Sequence, residues 1–277
     1  MAKAKVFIRK NPTFCIFSLF AVALVLIAVF APFIATHDPY EAVLADAVQA
    51  PSAEHWFGTD KLGRDLFSRV IYGTRTSLTA ALILVAVIIV LGTFLGIVSG
   101  YFGGIADAVI MRIADMMVSF PGMILAIAVA GILGANIRNA IIAIALVSWT
   151  KYARLSRSLV LKIKNRDYIA AAKVTGSKAG HILAKYMLPN ALPTVLVTGA
   201  SDIGSMMLEL AALSFLGFGA QSPTAEWGLM LNEGRAYMTA APWLMVFPGL
   251  AIFITVVIFN LLGDSLRDVL DPRKVSA

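Results

Sequence analysis

From Phe14 to Ile34 the chain runs for 21 residues without a charged side chain. A helix needs about 20 predominantly apolar residues to cross the hydrocarbon core of a bilayer, where no water satisfies an exposed backbone. Although a basic start precedes it, the run exceeds the roughly 7–15 apolar residues of a secretion signal and reads as a retained first span. Further candidate spans are Leu78 to Ser99, about Ala108 to Leu133, about Ala140 onward past Trp149, about Ala191 to Phe218, and Trp243 to Leu262. Composition points the same way. The chain is 59% hydrophobic and 14% charged, whereas a soluble domain is about half apolar and a quarter charged. The expected fold class is all-α: a polytopic membrane protein with about six transmembrane helices.

The net charge of +7 would suit a nucleic-acid partner, but its distribution argues otherwise. With six spans and a cytoplasmic N-terminus, 17 of the 23 basic residues fall in inside segments, among them Lys3, Lys5, Arg9, Lys151, Arg157, Lys173, Arg273 and Lys274. Membrane proteins keep Lys and Arg in cytoplasmic loops. Both termini are therefore expected inside, with membrane lipid and not nucleic acid as the non-protein partner. Cys15 is the single cysteine, which excludes an internal disulfide and reads as a packing residue.

Several clusters stand out from this apolar background. Gly92, Gly96 and Gly100 recur every fourth residue and so share a helix face. They read as a close-packing seam, with a hinge as the other reading. Asp202, Ser205, Met206 and Glu209 also project from one side of a helix. Carboxylates at membrane depth are costly unless they meet a partner or a watery path. The acids with the soft thioether of Met206 would suit a divalent cation, or else these groups bond to adjacent helices. Arg112 and Asp115, three apart, read as a local ion pair. In LGRDLFSRVIYG, Leu66, Phe67, Val70 and Ile71 oppose Arg64, Asp65, Ser68 and Arg69, which predicts an amphipathic helix on the outer interface. His37, His55 and His181 lack metal-site spacing and are not expected to be ligands. No GxxxxGK[ST] phosphate loop occurs, so this chain is not expected to hydrolyse ATP or to carry a cofactor.

The segment AAAKVTGSKAGHILAKYMLPN, Ala170 to Asn190, is the least span-like part of the C-terminal half. Asp167 is expected to cap a short helix through Val174, Gly176 to turn the chain, and Ser177 to cap a second helix ended by Pro189. Such an elbow suits docking of another protein against the small face of Ala170, Ala171 and Ala172, or an amphipathic connector on the headgroups.

The pattern AAxxxG ending in LP, here Ala171 to Gly176 and Leu188-Pro189, resembles the coupling loop of permease subunits of binding-protein-dependent ABC importers, with Ala170 where that pattern often begins with Glu. GTDKLGRDLFSRVIYGTRTSL, GYFGG, NRDY, LSFLGFGAQSPTAEWGLML and FPGLAIFITVVIFNLLGDSLRDVLDP are similar, in order and spacing, to the dipeptide, oligopeptide and nickel branch. SPTAEWG with the segment before it looks closer to the nickel permeases of the second (C) type. The resemblance implies a type I ABC importer permease of the inner membrane, translocating nickel, free or chelated, by alternating access. A dipeptide or oligopeptide is the alternative cargo. It also implies a second related permease, two ATP-binding subunits contacted through Ala170, Ala171, Ala172, Gly176, Leu188 and Pro189, and an extracytoplasmic solute-binding protein. Glu226, Glu233 and Arg235 are implied contacts for that protein. The expected organisation is residues 1–73 as tail, first span and outer segment, 74–264 as the permease domain with the coupling loop at about 165–190, and 265–277 as a cytoplasmic tail. A self-sufficient secondary transporter would want an internal repeat, and a membrane enzyme a catalytic constellation. Neither is found.

Overall fold

The computed structural model describes residues 10–270. The basic residues expected at the two ends, Lys3, Lys5, Arg9, Arg273 and Lys274, lie outside the described residues. The principal helices are α1 (Pro12–Ile34), α2 (Leu66–Phe102), α3 (Gly104–Val118), α4 (Gly122–Leu133), α5 (Ile137–Ile163), α6 (Asp167–Val174), α7 (Ala179–Ile182), α8 (Leu188–Phe215), α9 (Trp227–Gly234) and α10 (Trp243–Leu270). Strand pairing among the described residues is a single bridge, Thr59 with Asp65.

Four helices are long and apolar enough to cross a membrane: α1, α2, the unit running from Ala179 to Phe215, and α10. The third expected span is not one helix. It divides into α3 and α4, which meet at 95° across Pro121. Proline lacks the amide that would continue the ladder and disfavours helical backbone in the residue before it, here Phe120, so the turn breaks there. The fourth expected span corresponds to α5, whose 27 residues are long enough. Its second half carries Lys151, Arg154, Arg157 and Lys162, and this charge keeps it out of the apolar class that the other spans meet.

A second correction concerns Pro189. The chain does not stop there. α7 passes through a π-helical turn, Leu183–Met187, directly into α8. Proline at position i clashes with the carbonyl at i−4, here Lys185, and the wider turn over these residues accommodates that clash. Pro189 then sits in the first turn of α8, where its missing amide costs little.

Helices α2 and α5 form the most extensive pairing among the described residues. The glycine ladder lies in it. A Cβ on Gly92 would come within 2.5 Å of the Trp149 carbonyl oxygen and 2.6 Å of Tyr152 Cβ; on Gly96 it would meet the Ala153 carbonyl and, at 2.8 Å, Ser156 Cβ; on Gly100 it would meet Val160 Cβ at 2.9 Å. α8 meets α10 in a similar way. Gly204 has Asn260 Oδ1 at 2.6 Å from its would-be Cβ, and Gly263 of α10 abuts Ser201. The core so formed contains Leu84, Ile88, Ile144, Tyr152, Met207 and Phe259. Large apolar residues such as Phe33, Val90, Phe94, Ile132 and Phe253 remain on the outside, as a lipid-facing surface requires.

The segment expected to lie as an interfacial helix ends in the first two turns of α2. Asp65 is its N-cap, accepting the Ser68 amide at 2.7 Å. Its polar face points inward: Arg64 and Arg69 are each 1% exposed. Arg64 Nε donates to Asp60 Oδ2 at 2.6 Å and Arg64 Nη2 to Glu233 Oε2 at 3.0 Å. Arg69 stands 3.4 Å from Asp60 and 3.6 Å from Glu233, and donates to the Pro39 carbonyl. This network joins α2 to α9. Glu233→Ala should leave two buried guanidinium groups with one carboxylate between them, a loss of about 3–5 kcal/mol. Thermal denaturation of the detergent-purified protein should show the transition fall sharply; an unchanged transition would contradict the account.

Candidate functional site

The polar groups near the middle of the helices come together at one place. Both Asp202 oxygens accept from Lys151 Nζ at 2.8 Å, and Asp202 Oδ2 also accepts from the Tyr152 hydroxyl at 2.8 Å. Lys151 and Tyr152 are adjacent on α5, and Asp202 faces them from α8. Glu209, two turns further along α8 and half-buried, is within electrostatic reach of the pair. Met206 is 8% exposed and belongs to the core cluster, whereas Ser205 faces outward. The expected one-sided set is therefore split: Asp202 and Met206 turn into the protein and Ser205 away from it. The interior contact that sequence reasoning missed is Lys151. A signal for it existed, since Lys151 and Asp202 are opposite charges near the middle of two long helices, and such charges at membrane depth want each other.

Two more ion pairs bind α3 to α5. Arg157 grips Asp107 through two 2.6 Å bonds, a bidentate geometry. Asp115 accepts from Arg154 at 2.8 Å. The expected local pair of Arg112 with Asp115 is thus replaced by a contact between helices, because α3 folds back along α5 after the turn at Gly103–Gly104, both of positive φ.

Beyond α5 lies the elbow. α6 begins at Asp167, one residue earlier than an Asp167 cap would give, with Arg166 at the capping position. Its end is closed by two bonds: Gly176 N–H donates to the Lys173 carbonyl and Ser177 N–H to the Ala172 carbonyl, each at 3.0 Å. With Gly176 at φ +82°, this is the Schellman arrangement, in which the left-handed residue is best a glycine. The cap of α7 is Lys178, without a side-chain bond, and not Ser177. Ala170 and Ala171 are exposed while Ala172 is buried. Ile169, Ile182 and Met187 fill a small core that joins the elbow to Ile97 of α2 and Val160 of α5. Packed side chains thus join the elbow to the two most closely paired helices.

At the other end of the bundle, Glu226 and Trp227 are inside the protein. The Glu226 carboxylate caps α9, accepting from the Gly228 and Leu229 amides at 3.0 and 2.8 Å. Burial pushes its carboxyl above the ordinary range, and those two amides pull it part of the way back. Trp227 Nε1 donates to the Val70 carbonyl at 2.9 Å, so this indole holds α9 to α2. Of the three residues implied as binding-protein contacts, Glu226 and Glu233 are spent on internal bonds, and Arg235 is exposed.

Fold and site define a class: a multi-span helical membrane protein with a charged midpoint and a compact helical elbow between α5 and α8. A family model described as "Binding-protein-dependent transport system inner membrane component" matches residues 92–276, and one described as "N-terminal TM domain of oligopeptide transport permease C" matches residues 7–51. The chain belongs to the binding-protein-dependent family of inner-membrane transport components, and is a multi-pass permease subunit of an ABC importer. It is 43% identical to a dipeptide transport system permease protein of Alkalihalophilus pseudofirmus over 97% of this chain and 88% of that one. It is 47% identical to a glutathione transport system permease protein of Escherichia coli O6:K15:H31 over 92% and 85%. It is 43% identical to a nickel transport system permease protein of Escherichia coli K12 over 91% of each. The fold is shared with the MetNI methionine ABC transporter in an inward-facing form, at a TM-score of 0.58 and 19% identity, covering 74% of this chain and 97% of that one.

Proposed function

We propose that the permease moves a small peptide and that its charged midpoint lines the route. The observation that carries this reading is the Lys151–Asp202 pair with Glu209 beside it. Lys151 is 58% exposed at its side chain, so an ammonium and a carboxylate are offered side by side. A peptide presents the matching charges at its two termini, and exchange of an internal pair for a pair with cargo avoids an unpaired charge at membrane depth. A bare divalent cation is served less well, because both Asp202 oxygens already hold an ammonium and Met206 is packed away. Nickel remains the second reading. Glu209 stands beyond salt-bridge distance of Lys151, and a nickel permease is among the relatives.

In this reading Ala170, Ala171, Ala172 and Gly176, with Leu188 and Pro189 at the far end, form the surface that meets a separate ATP-binding subunit. Two such subunits, a second related permease and an extracytoplasmic binding protein complete the importer. Both termini are cytoplasmic, as the basic bias supports. ATP is consumed by the partners.

Uptake of a labelled dipeptide and of labelled nickel, in cells with and without this gene and with the partner genes intact, tests the cargo. Loss of dipeptide uptake alone is the expected result. Loss of nickel uptake alone would overturn the peptide reading while keeping the permease. At the site itself, Asp202→Asn should cut uptake by at least about tenfold, the equivalent of 1.4 kcal/mol, with the protein still inserted. Undiminished uptake would remove the pair from the route.

A further inference from the structure

The two histidines set aside in the sequence come together with Asp65. His37 follows α1, His55 lies in the long connection to α2, and Asp65 caps α2. One ligand atom from each lies within 4.8 Å of the others. His55 Nδ1 is 2.9 Å and His37 Nδ1 3.7 Å from Asp65 Oδ1, and the two rings are 4.8 Å apart. From this cluster the geometry points to a divalent transition-metal site held by His37, His55 and Asp65. It is independent of the cargo and distinct from the Lys151–Asp202 midpoint.

Three features support it. The donor set of two imidazoles and a carboxylate is one that zinc and its neighbours in the first transition row accept. The spacing is nearly right: bonds of about 2.0–2.1 Å in a tetrahedron put ligand atoms about 3.4 Å apart, between the two distances to Asp65 already present. The ligands are also held in place by bonds that a cation would not disturb. Asp65 uses its other oxygen, Oδ2, to cap α2, the His37 amide donates to Ser68 Oγ at 3.0 Å, and the His55 amide donates to Ser52 Oγ at 3.0 Å.

Access is graded in the same direction. The side chains of Asp65, His55 and His37 are 1%, 11% and 38% exposed, so a cation would enter past His37. On binding, His55 adopts the Nε2–H tautomer, which frees Nδ1 for the metal in place of its bond to Asp65. Three protein ligands leave a fourth position for water. Such a cation would pin the segment after α1 to the head of α2, beside the network of Asp60, Arg64, Arg69 and Glu233.

The test uses the full chain, purified in detergent and stripped by chelation, titrated with Zn2+ against a chromophoric chelator and with Co2+ followed by its visible absorption. One cation per chain is expected, with a raised melting temperature. His37→Ala should weaken binding by at least about tenfold, the lower end of what losing even an outer partner of a metal site costs, and the His37→Ala/His55→Ala pair should abolish it. Asp65→Asn should weaken binding while its amide oxygen keeps the cap on α2, so the metal-free melting temperature should hold. His181→Ala should change nothing. Binding that survives the double variant, or no binding below millimolar Zn2+, would overturn the site. Neither outcome bears on the peptide reading, which is read by uptake.

Discussion

Gly96→Leu is expected to abolish the folded protein. The atoms a Cβ would meet at Gly96 are the Ala153 carbonyl oxygen and Ser156 Cβ, and these belong to the facing helix rather than to the tip of a flexible side chain. Relief requires α2 and α5 to move apart along the pairing that organises the bundle. Overpacking that side chains can absorb costs about 1–3 kcal/mol; displacement of a helix backbone costs more. In size-exclusion chromatography of the detergent extract the monodisperse peak should give way to aggregate, and uptake should vanish with it. Gly180→Ala is the control, since nothing lies within 4 Å of its would-be Cβ. A monodisperse, thermally unaltered Gly96→Leu protein would refute close approach at this glycine.

The second large effect is expected at Gly176, and it should leave the fold intact. Proline fixes φ near −65°, while Gly176 needs +82°. It also removes the amide that donates to the Lys173 carbonyl. The elbow would open at its bend, with α2 and α8 untouched. A local cost of about 3 kcal/mol lowers the population of the native elbow by about a hundredfold. Membrane vesicles with the partner subunits should therefore retain ATP hydrolysis while substrate uptake collapses, at normal levels of inserted protein. Gly176→Ala has open space around it and carries only the strain of its positive φ, about 1–2 kcal/mol, so its loss should be partial. Normal coupled uptake by Gly176→Pro would remove the elbow from the coupling path.

Much of the frame was legible in the residues because the bilayer is a severe solvent. About 20 apolar residues are needed to cross it, and α1, α2, α8 and α10 could be placed from that requirement. The observed helices extend further, as α2 does from Leu66 and α10 to Leu270, because charged residues at a helix end extend beyond the hydrocarbon. The Gly176 turn was legible for a local reason: it depends on backbone conformation within six residues. The break at Pro121 was not, since Pro193 and Pro248 lie inside continuous helices. All are prolines in apolar sequence, and only packing distinguishes them.

The candidate site divides in the same way. The four-residue spacing of Gly92, Gly96 and Gly100 announced a face, but its facing residues, Tyr152, Ala153, Ser156 and Val160, lie some sixty residues later. Asp202 and Glu209 could be recognised as costly groups within a span. Which cation would satisfy Asp202 could not, because by position Lys151 falls among the basic residues of an inside segment. Arg64 and Arg69 fit the wet side of a surface helix by pattern alone, since amphipathicity marks two faces without saying which is buried.

By itself the sequence determined the class of protein, the long apolar spans and the left-handed turn at Gly176, because each depends on the solvent or on neighbours within a few residues. Tertiary structure alone decided which charges neutralise each other and that His37, His55 and Asp65 share one corner. Coulombic and coordination contacts act over a few ångströms of space, and residues brought that close can lie anywhere along the chain.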